Sequence, residues 1–201
     1  MNTPHTIFYI VRHGETEWNV ANIIQGHGDS PLTERGVLQA KGVAEELKNI
    51  SFDKCFSSDL LRAKRTAEII TLEKNLAIET SQLLREQYFG KHEGTDRKQF
   101  YEQFTTWEQL SEKERHTYKV SDDVESNEEA VGRLLTFLRE VAVGYPGRKI
   151  LLVCHGAIMR YLLIHLGYIT YKDNKGFGNT GYMIVESDGV DFFIKKVKGL
   201  H

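Results

Sequence analysis

The chain has 201 residues, 40% of them hydrophobic, and carries a formal net charge of -2 at pH 7. That length suits one domain, 1–201, with a sizeable core, and the near-neutral balance excludes a global pull towards nucleic acid or an anionic membrane, so attraction for an anionic ligand must be local. Two cysteines exclude a disulfide scaffold, no apolar run approaches the roughly 20 residues that span a bilayer, and no leader is read at the N-terminus, so a cytoplasmic protein is expected.

In chain order, the run Ile7-Phe8-Tyr9-Ile10-Val11 reads as a buried strand that opens into Arg12-His13-Gly14-Glu15-Thr16. Thr33 is placed to cap a helix with Val37, Ala40, Ala44 and Leu47 on one face. A short strand around Lys54 to Phe56 leads into a helix beginning near Asp59, with Leu60, Ala63, Ala67 and Ile70 at helical spacing. Between Thr95 and Glu125 the composition turns aromatic and charged. The spacing of Phe100, Phe104 and Trp107 predicts a helix there, either packed on the main body or serving as a lid over the substrate's organic part. Ser126 with Glu129 forms a capping-box pattern before a helix through Ala130, Leu134, Phe137, Leu138 and Val141, which Tyr145-Pro146-Gly147 ends. Ile150 to Cys154 is a second buried strand, and Asp188-Gly189 is the turn of a terminal hairpin between Gly181–Glu186 and Val190–Val197. Alternating strands and helices predict an α/β three-layer sandwich: a mostly parallel central sheet, helices on both faces, a helical lid insertion at approximately 95–125 and an antiparallel ribbon at the end.

Both apolar strands end in histidine followed by glycine, His13-Gly14 and His155-Gly156, so two imidazoles are expected to face one cleft. A neutral imidazole is a competent nucleophile near pH 7, and a phosphate ester accepts it once fixed charge or N–H donors neutralise its oxygens. Arg12 stands next to His13 to supply that charge. The glycines let the backbone approach an anion, and a helix opening at Ala157 adds its positive dipole end. Cys55 and Cys154, each inside an apolar run, read as buried reduced thiols. Gly176-Phe177-Gly178-Asn179-Thr180-Gly181 has the spacing of a dinucleotide fingerprint but precedes a strand instead of following one, so NAD binding is rejected. The eight histidines show no metal-binding spacing; His5, His116 and His201 read as exposed, and His27, His92 and His165 receive no role.

These motifs resemble the histidine phosphatase superfamily, also called the phosphoglycerate mutase-like family. The resemblance runs through Arg12 to Thr16 with Asn19, Gln25-Gly26, Asp29 to Gly36, Ser57 to Ala63 with Thr66-Ala67, Glu86 with Gly90 and Glu93-Gly94, Glu125-Ser126, and His155-Gly156. It departs from the commoner pattern at His27-Gly28 and Lys91-His92. It implies His13 as the nucleophile and Arg12, Arg62 and His155 as a clamp on the phosphoryl oxygens. Glu86 would be the acid that protonates the leaving oxygen and the base that then activates water, with Glu15 and Glu93 as other nearby carboxylates. Asn19, Gln25, Gly26 and Gly156, together with Arg12 and Arg62, would bind substrate, whereas Arg65 is a solvated helix residue.

The expected activity is that of a metal-independent phosphomonoesterase acting on a small phosphorylated metabolite, with no cofactor, and a homodimer is left open. The alternative is a phosphoglycerate mutase using the same residues. Water is favoured as acceptor because the 95–125 segment shows no adjacent arginine pair and the chain stops about four residues after its last predicted strand. A non-catalytic phospholigand sensor ranks lower, since every pocket residue is present. The sequence leaves the substrate's identity open.

Overall fold

A computed structural model describes residues 4–201. Six strands form one sheet: β1 (Thr6–Arg12), β2 (Lys54–Ser58), β3 (Ile78–Ser81), β4 (Lys149–Cys154), β5 (Phe177–Ser187) and β6 (Phe192–Leu200). Their spatial order is β3-β2-β4-β1-β5-β6. The first four in that order run parallel, while β5 pairs antiparallel to β1 and β6 antiparallel to β5. The chain is therefore an α/β protein with a mixed, mostly parallel sheet.

The apolar strands are buried on both faces, which is why they read as continuous runs without polar alternation. Phe8 and Ile10 of β1, with Ile150, Leu152 and Cys154 of β4, belong to one core; Tyr9, Val11, Leu151 and Val153 belong to the other. The first core is closed by helices spanning Asn127–Gly144 and Gly156–His165, the second by helices spanning Glu34–Glu46 and Leu61–Thr71. Among the described residues the α-helices are thus α1 (Glu17–Val20), α2 (Glu34–Glu46), α3 (Leu61–Thr71), α4 (Arg97–Tyr101), α5 (Glu112–Thr117), α6 (Asn127–Gly144) and α7 (Gly156–His165). Thr33 accepts from the Gly36 N–H to start α2, and the Ser126/Glu129 capping box starts α6, as their side-chain types predict.

Two expectations need correction, and one strand was not expected. The predicted helix through Phe100, Phe104 and Trp107 is broken: α4 stops at Tyr101, the Gln103 and Phe104 N–H groups make tight turns to Phe100 and Tyr101, and Trp107 opens a single 3₁₀ turn. The spacing instead records a chain of aromatic contacts, Phe100 to Phe104 at 5.1 Å and Phe104 to Trp107 at 5.6 Å. Strand β3 had no signature in the sequence, since an edge strand reading Ile-Glu-Thr-Ser buries no continuous face. The terminal hairpin is longer than predicted: β5 begins at Phe177 and reaches regular pairing after a register shift between Phe177 and Tyr182, with Thr180 left-handed at φ 59°, and β6 extends to Leu200.

The Ser126 hydroxyl accepts from the Glu129 N–H while the Glu129 carboxylate accepts from the Ser126 N–H. Ser126→Ala should therefore lower the free energy of unfolding by about 1 kcal/mol, measured by urea denaturation.

Candidate active site

Each parallel strand delivers a residue to one end of the sheet. In the β1–β4 register Arg12 faces Cys154, and the His13 N–H donates to the Cys154 carbonyl at 3.0 Å. His13 and His155 therefore leave their strands side by side, with ring centroids 5.2 Å apart. Strand β2 runs into α3, whose second residue is Arg62, and β3 passes through a 3₁₀ turn to Glu86. A cleft of about 760 Å³ opens over this end, lined by Arg12, His13, Arg62 and Glu86 and also by Asn19, Gln25, Gly26 and Gly156. His155 is 0% exposed and packs beside His13.

His13 is 3% exposed, and its Nδ1 lies 2.7 Å from the Gly14 carbonyl oxygen. A carbonyl only accepts, so Nδ1 carries the proton and Nε2 keeps a free lone pair. Burial, reinforced by the Arg62 and Arg12 charges, holds His13 well below the ordinary imidazole value, so the ring is neutral at pH 7. His155 is held down in the same way, first by burial and then by Arg62, and neither of its ring nitrogens has a hydrogen-bond partner within the protein. Burial also pushes Arg12 down to about 10, with Glu86 acting in the opposite direction, which leaves it charged at pH 7.

Arg62, 1% exposed, is cradled by carbonyls. Its Nη1 donates to Gly28 O at 2.7 Å and Asp29 Oδ1 at 3.1 Å, and its Nη2 to Gly26 O at 2.7 Å. Asp29 also accepts from the Leu61 and Arg62 N–H groups, so it caps α3 from a distant loop. The loop turns through left-handed Gly26 at φ 53°, where a Cβ would stand 2.1 Å from Glu93 Oε1. Glu93 accepts from the His27, Gly28 and Phe89 N–H groups and so fastens this cradle. The Nε atoms of Arg12 and Arg62 and the Oε1 of Gln25 are buried without a protein partner. Buried polar atoms usually find partners; here the three residues that carry these atoms line one cleft, and His155, with both nitrogens unpartnered, packs behind it against His13.

The carboxylate of Glu86 is held by backbone donors: Oε1 accepts from Gln87 at 3.0 Å and Ile158 at 3.2 Å, and Oε2 from Ala157 at 3.1 Å. The positive end of α7, expected to face a phosphate, is thus engaged by Glu86. Arg133, which the sequence reading missed, forms a forked pair with Glu125 at 2.8 and 2.9 Å and donates to the carbonyls of Leu83, Arg85 and Glu86. His27 Nε2 donates to the Glu86 carbonyl at 3.0 Å, which gives a role to a histidine left without one. The glycine-spaced segment also has work in the site: Phe177 O accepts from Arg12, and the Thr180 N–H and Asn179 Nδ2 donate to the His13 carbonyl. Asn19 Oδ1 accepts from Thr16 and Asn179, leaving its Nδ2 as the amide's uncommitted donor beside the cleft. Thr66 Oγ1 accepts from the Gly14 N–H and donates to the Arg62 carbonyl, linking the loop after His13 to the helix that carries Arg62.

Other residues stand apart from the cleft. Glu15 accepts from Thr33 Oγ1 and pairs with Arg35, and exposed Arg65 pairs with Glu68. Cys55 and Cys154 are buried free thiols. His116, read as exposed, is partly buried, with Nδ1 2.8 Å from the Tyr171 hydroxyl. Among the described residues, no group of three or more His, Cys, Asp and Glu side chains is placed to hold a metal ion, and no helix is long and apolar enough to cross a membrane.

The family model of the histidine phosphatase superfamily (branch 1) matches residues 8–198. The chain belongs to the histidine phosphatase superfamily. It is 36% identical over 162 residues to an uncharacterized phosphatase, PhoE, of Bacillus subtilis, a match covering 80% of this chain and 77% of that protein. A probable phosphoglycerate mutase, GpmB, of Photorhabdus laumondii is 37% identical over 163 residues, with 77% and 72% covered. Among solved structures, YhfR of Bacillus stearothermophilus superposes with a TM-score of 0.83 at 28% identity, covering 96% of each chain. The α/β sheet is thus that of the superfamily, whose members named here include both phosphatases and mutases.

The two buried histidines of this superfamily site make stability depend on pH. Their folded values lie below the ordinary 6.5, so between the two values the unfolded chain binds more protons, and stability rises with pH up to about 6.5 and gains nothing from them above it. Lowering the pH from 7 to 5 should lower the urea midpoint of the ligand-free protein. His155→Gln should flatten the slope of unfolding free energy by up to one proton, about 1.4 kcal/mol per pH unit; an unchanged slope would show that His155 is not buried neutral.

Proposed function

We propose that the chain is a metal-independent phosphomonoesterase that hydrolyses a small phosphorylated metabolite through a phosphohistidine on His13. The observation that carries this reading is the His13 ring: Nδ1 donates to Gly14, and Nε2 keeps its lone pair under the charges of buried Arg62 and partly buried Arg12. The positive charge that a phosphoryl transfer needs is supplied by Arg12 and Arg62.

In the first step the Nε2 lone pair forms an N–P bond as the ester P–O bond breaks, and the departing oxygen takes a proton from Glu86. Oε2 is the carboxyl oxygen that carries it, since Oε2 accepts one backbone N–H and Oε1 accepts two. In the second step water attacks phosphorus, its proton goes to Glu86, and the N–P electron pair returns to His13. Arg12, Arg62 and a His155 ring N–H hold the non-bridging oxygens, and the unpartnered nitrogens of these residues are the donors free to do so. Gln25, Gly26, Gly156 and Asn19 Nδ2 complete the substrate-binding surface. Water is supported as acceptor by the 95–125 segment: its two arginines are separate, and Arg115 is buried, its guanidinium donating to the Trp107 and Glu108 carbonyls. We also assign residues 4–201 to one domain, with 95–125 as its lid.

The deciding measurement is the phosphoenzyme burst. Wild-type protein should form an acid-labile phosphohistidine and release inorganic phosphate in the presence of EDTA, and His13→Ala should do neither; activity lost to EDTA and restored by a divalent metal would overturn the metal-free mechanism. Glu86→Gln should slow the burst from an alkyl phosphate at least roughly tenfold more than from p-nitrophenyl phosphate, whose leaving group departs almost unaided. Return of the phosphoryl group to an added phosphoglycerate in preference to water would make the protein a mutase.

Arg133 acts through Glu86. Arg133→Lys keeps the charge and loses the fork that holds three carbonyls and Glu125, so it should reproduce the alkyl-selective defect at about ten- to a hundredfold. Equal losses for alkyl and aryl esters would reduce Arg133 to a general structural role.

A further inference from the structure

The cleft is larger than a phosphoryl pocket. At about 760 Å³ it lies in the range of sites that enclose drug-sized ligands, and a three-carbon ester leaves most of it unfilled. Besides the residues assigned to the phosphoryl group, its lining is largely aromatic. Phe89 contacts Phe100 at 5.3 Å, and the contacts continue through Phe104 to Trp107. Trp107 then meets Tyr118 at 5.8 Å and Tyr171 at 5.7 Å, and all of these rings line the cleft. Phe104, Trp107 and Tyr118 are only partly buried, so their packing against one another leaves ring surface towards the cavity. Successive rings pack near the perpendicular, at 80° and 82° on either side of Trp107, which fixes the wall's shape before a ligand arrives.

The same cavity carries polar groups beside the rings. Glu108 and Lys175 line it, as does Arg160, whose Nε donates to the Lys175 carbonyl at 2.6 Å and whose guanidinium stands 5.6 Å from the Tyr171 ring centre. An alkyl tail buried here would strip water from these charges and return no hydrogen bond. A flat heteroaromatic group satisfies both surfaces: its face or edge matches the rings, and its ring nitrogens and hydroxyls match the charges.

Building on the phosphomonoesterase reading, we propose that the ester hydrolysed is of the nucleoside 5′-monophosphate type, with its phosphoryl group on His13 and its heteroaromatic body against the wall formed by Phe104, Trp107, Tyr118 and Tyr171. The wall reads a π-face and not a base edge, so the four common bases should be accepted alike.

The test compares kcat/KM for four nucleoside 5′-monophosphates with that for 3-phosphoglycerate and glycerol 3-phosphate. The wild-type protein should prefer every nucleotide by about tenfold or more. Trp107→Leu and Tyr118→Leu should each lower the ratio of nucleotide to glycerol 3-phosphate kcat/KM by about the same factor. The ratio cancels any general loosening of the segment, and the second variant guards against a first that fails to fold. Equal or better use of the three-carbon esters, or a ratio unchanged in both variants, would overturn the proposal. If the three-carbon esters are turned over through phosphohistidine without a nucleotide preference, this proposal falls alone; if no ester yields phosphohistidine, the phosphomonoesterase reading falls first.

Discussion

The arrangement depends on two guanidinium groups kept out of bulk water next to two imidazoles. Arg62 shares Asp29 with the start of α3, whereas Arg12 has a backbone carbonyl as its one hydrogen-bonded anchor among the described residues, so one carboxylate is paired directly with the two guanidinium groups. Burial makes a second proton on His13 unfavourable, and the Arg62 and Arg12 charges add to the same effect. The two charges that would attract an anion therefore act with burial to keep His13 neutral. Much of the surrounding polar structure maintains this unfavourable concentration of charge. The Gly26 and Gly28 carbonyls turn towards Arg62, Glu93 holds the loop that carries them, and Thr66 ties the Gly14 amide to the helix that carries the clamp.

The sheet makes this possible through register. Four parallel strands end at one edge, and each contributes a different group: Glu86 after β3, Arg62 after β2, His155 after β4, and Arg12 with His13 at β1. The antiparallel pair β5–β6 contributes by a different device. At its irregular start, Phe177, Asn179 and the left-handed Thr180 turn backbone and amide groups towards Arg12, His13 and Asn19. Glycine spacing that resembles a nucleotide-binding turn serves here to brace His13 from the side.

What was legible in the sequence was what is locally encoded. Strands buried on both faces show as unbroken apolar runs, and helix starts show as Thr33 or as Ser126 with Glu129, because the physics of a buried strand or a capped helix acts within a few residues. Arg12, His13 and His155 were legible for the same reason, lying at the ends of such runs. Strand β3 was not, because this four-residue edge strand owes its place to pairing with β2 and carries only Ile78 against the core. The segment from 95 to 125 was misread because aromatic residues three and four apart satisfy a helix and a folded aromatic cluster equally well. Glu86 had no local signal at all; its position is set by amides some seventy residues later and by Arg133 on another helix. Motif resemblance supplied what periodicity could not.

The engagement of Glu86 by the start of α7 changes how the charges of the site divide. A helix N-terminus at the base of a phosphate cleft is a ready anion site, yet the Ala157 and Ile158 amides turn to the carboxylate. Freely rotating, that carboxylate would swing towards Arg12 and Arg62 and cancel the field meant for the phosphoryl oxygens. Held by three backbone donors, it stays close enough to counter the burial of Arg12 but makes no hydrogen bond to either guanidinium. By occupying the carboxylate that lines the cleft beside His13, the start of α7 keeps it from pairing with either guanidinium group.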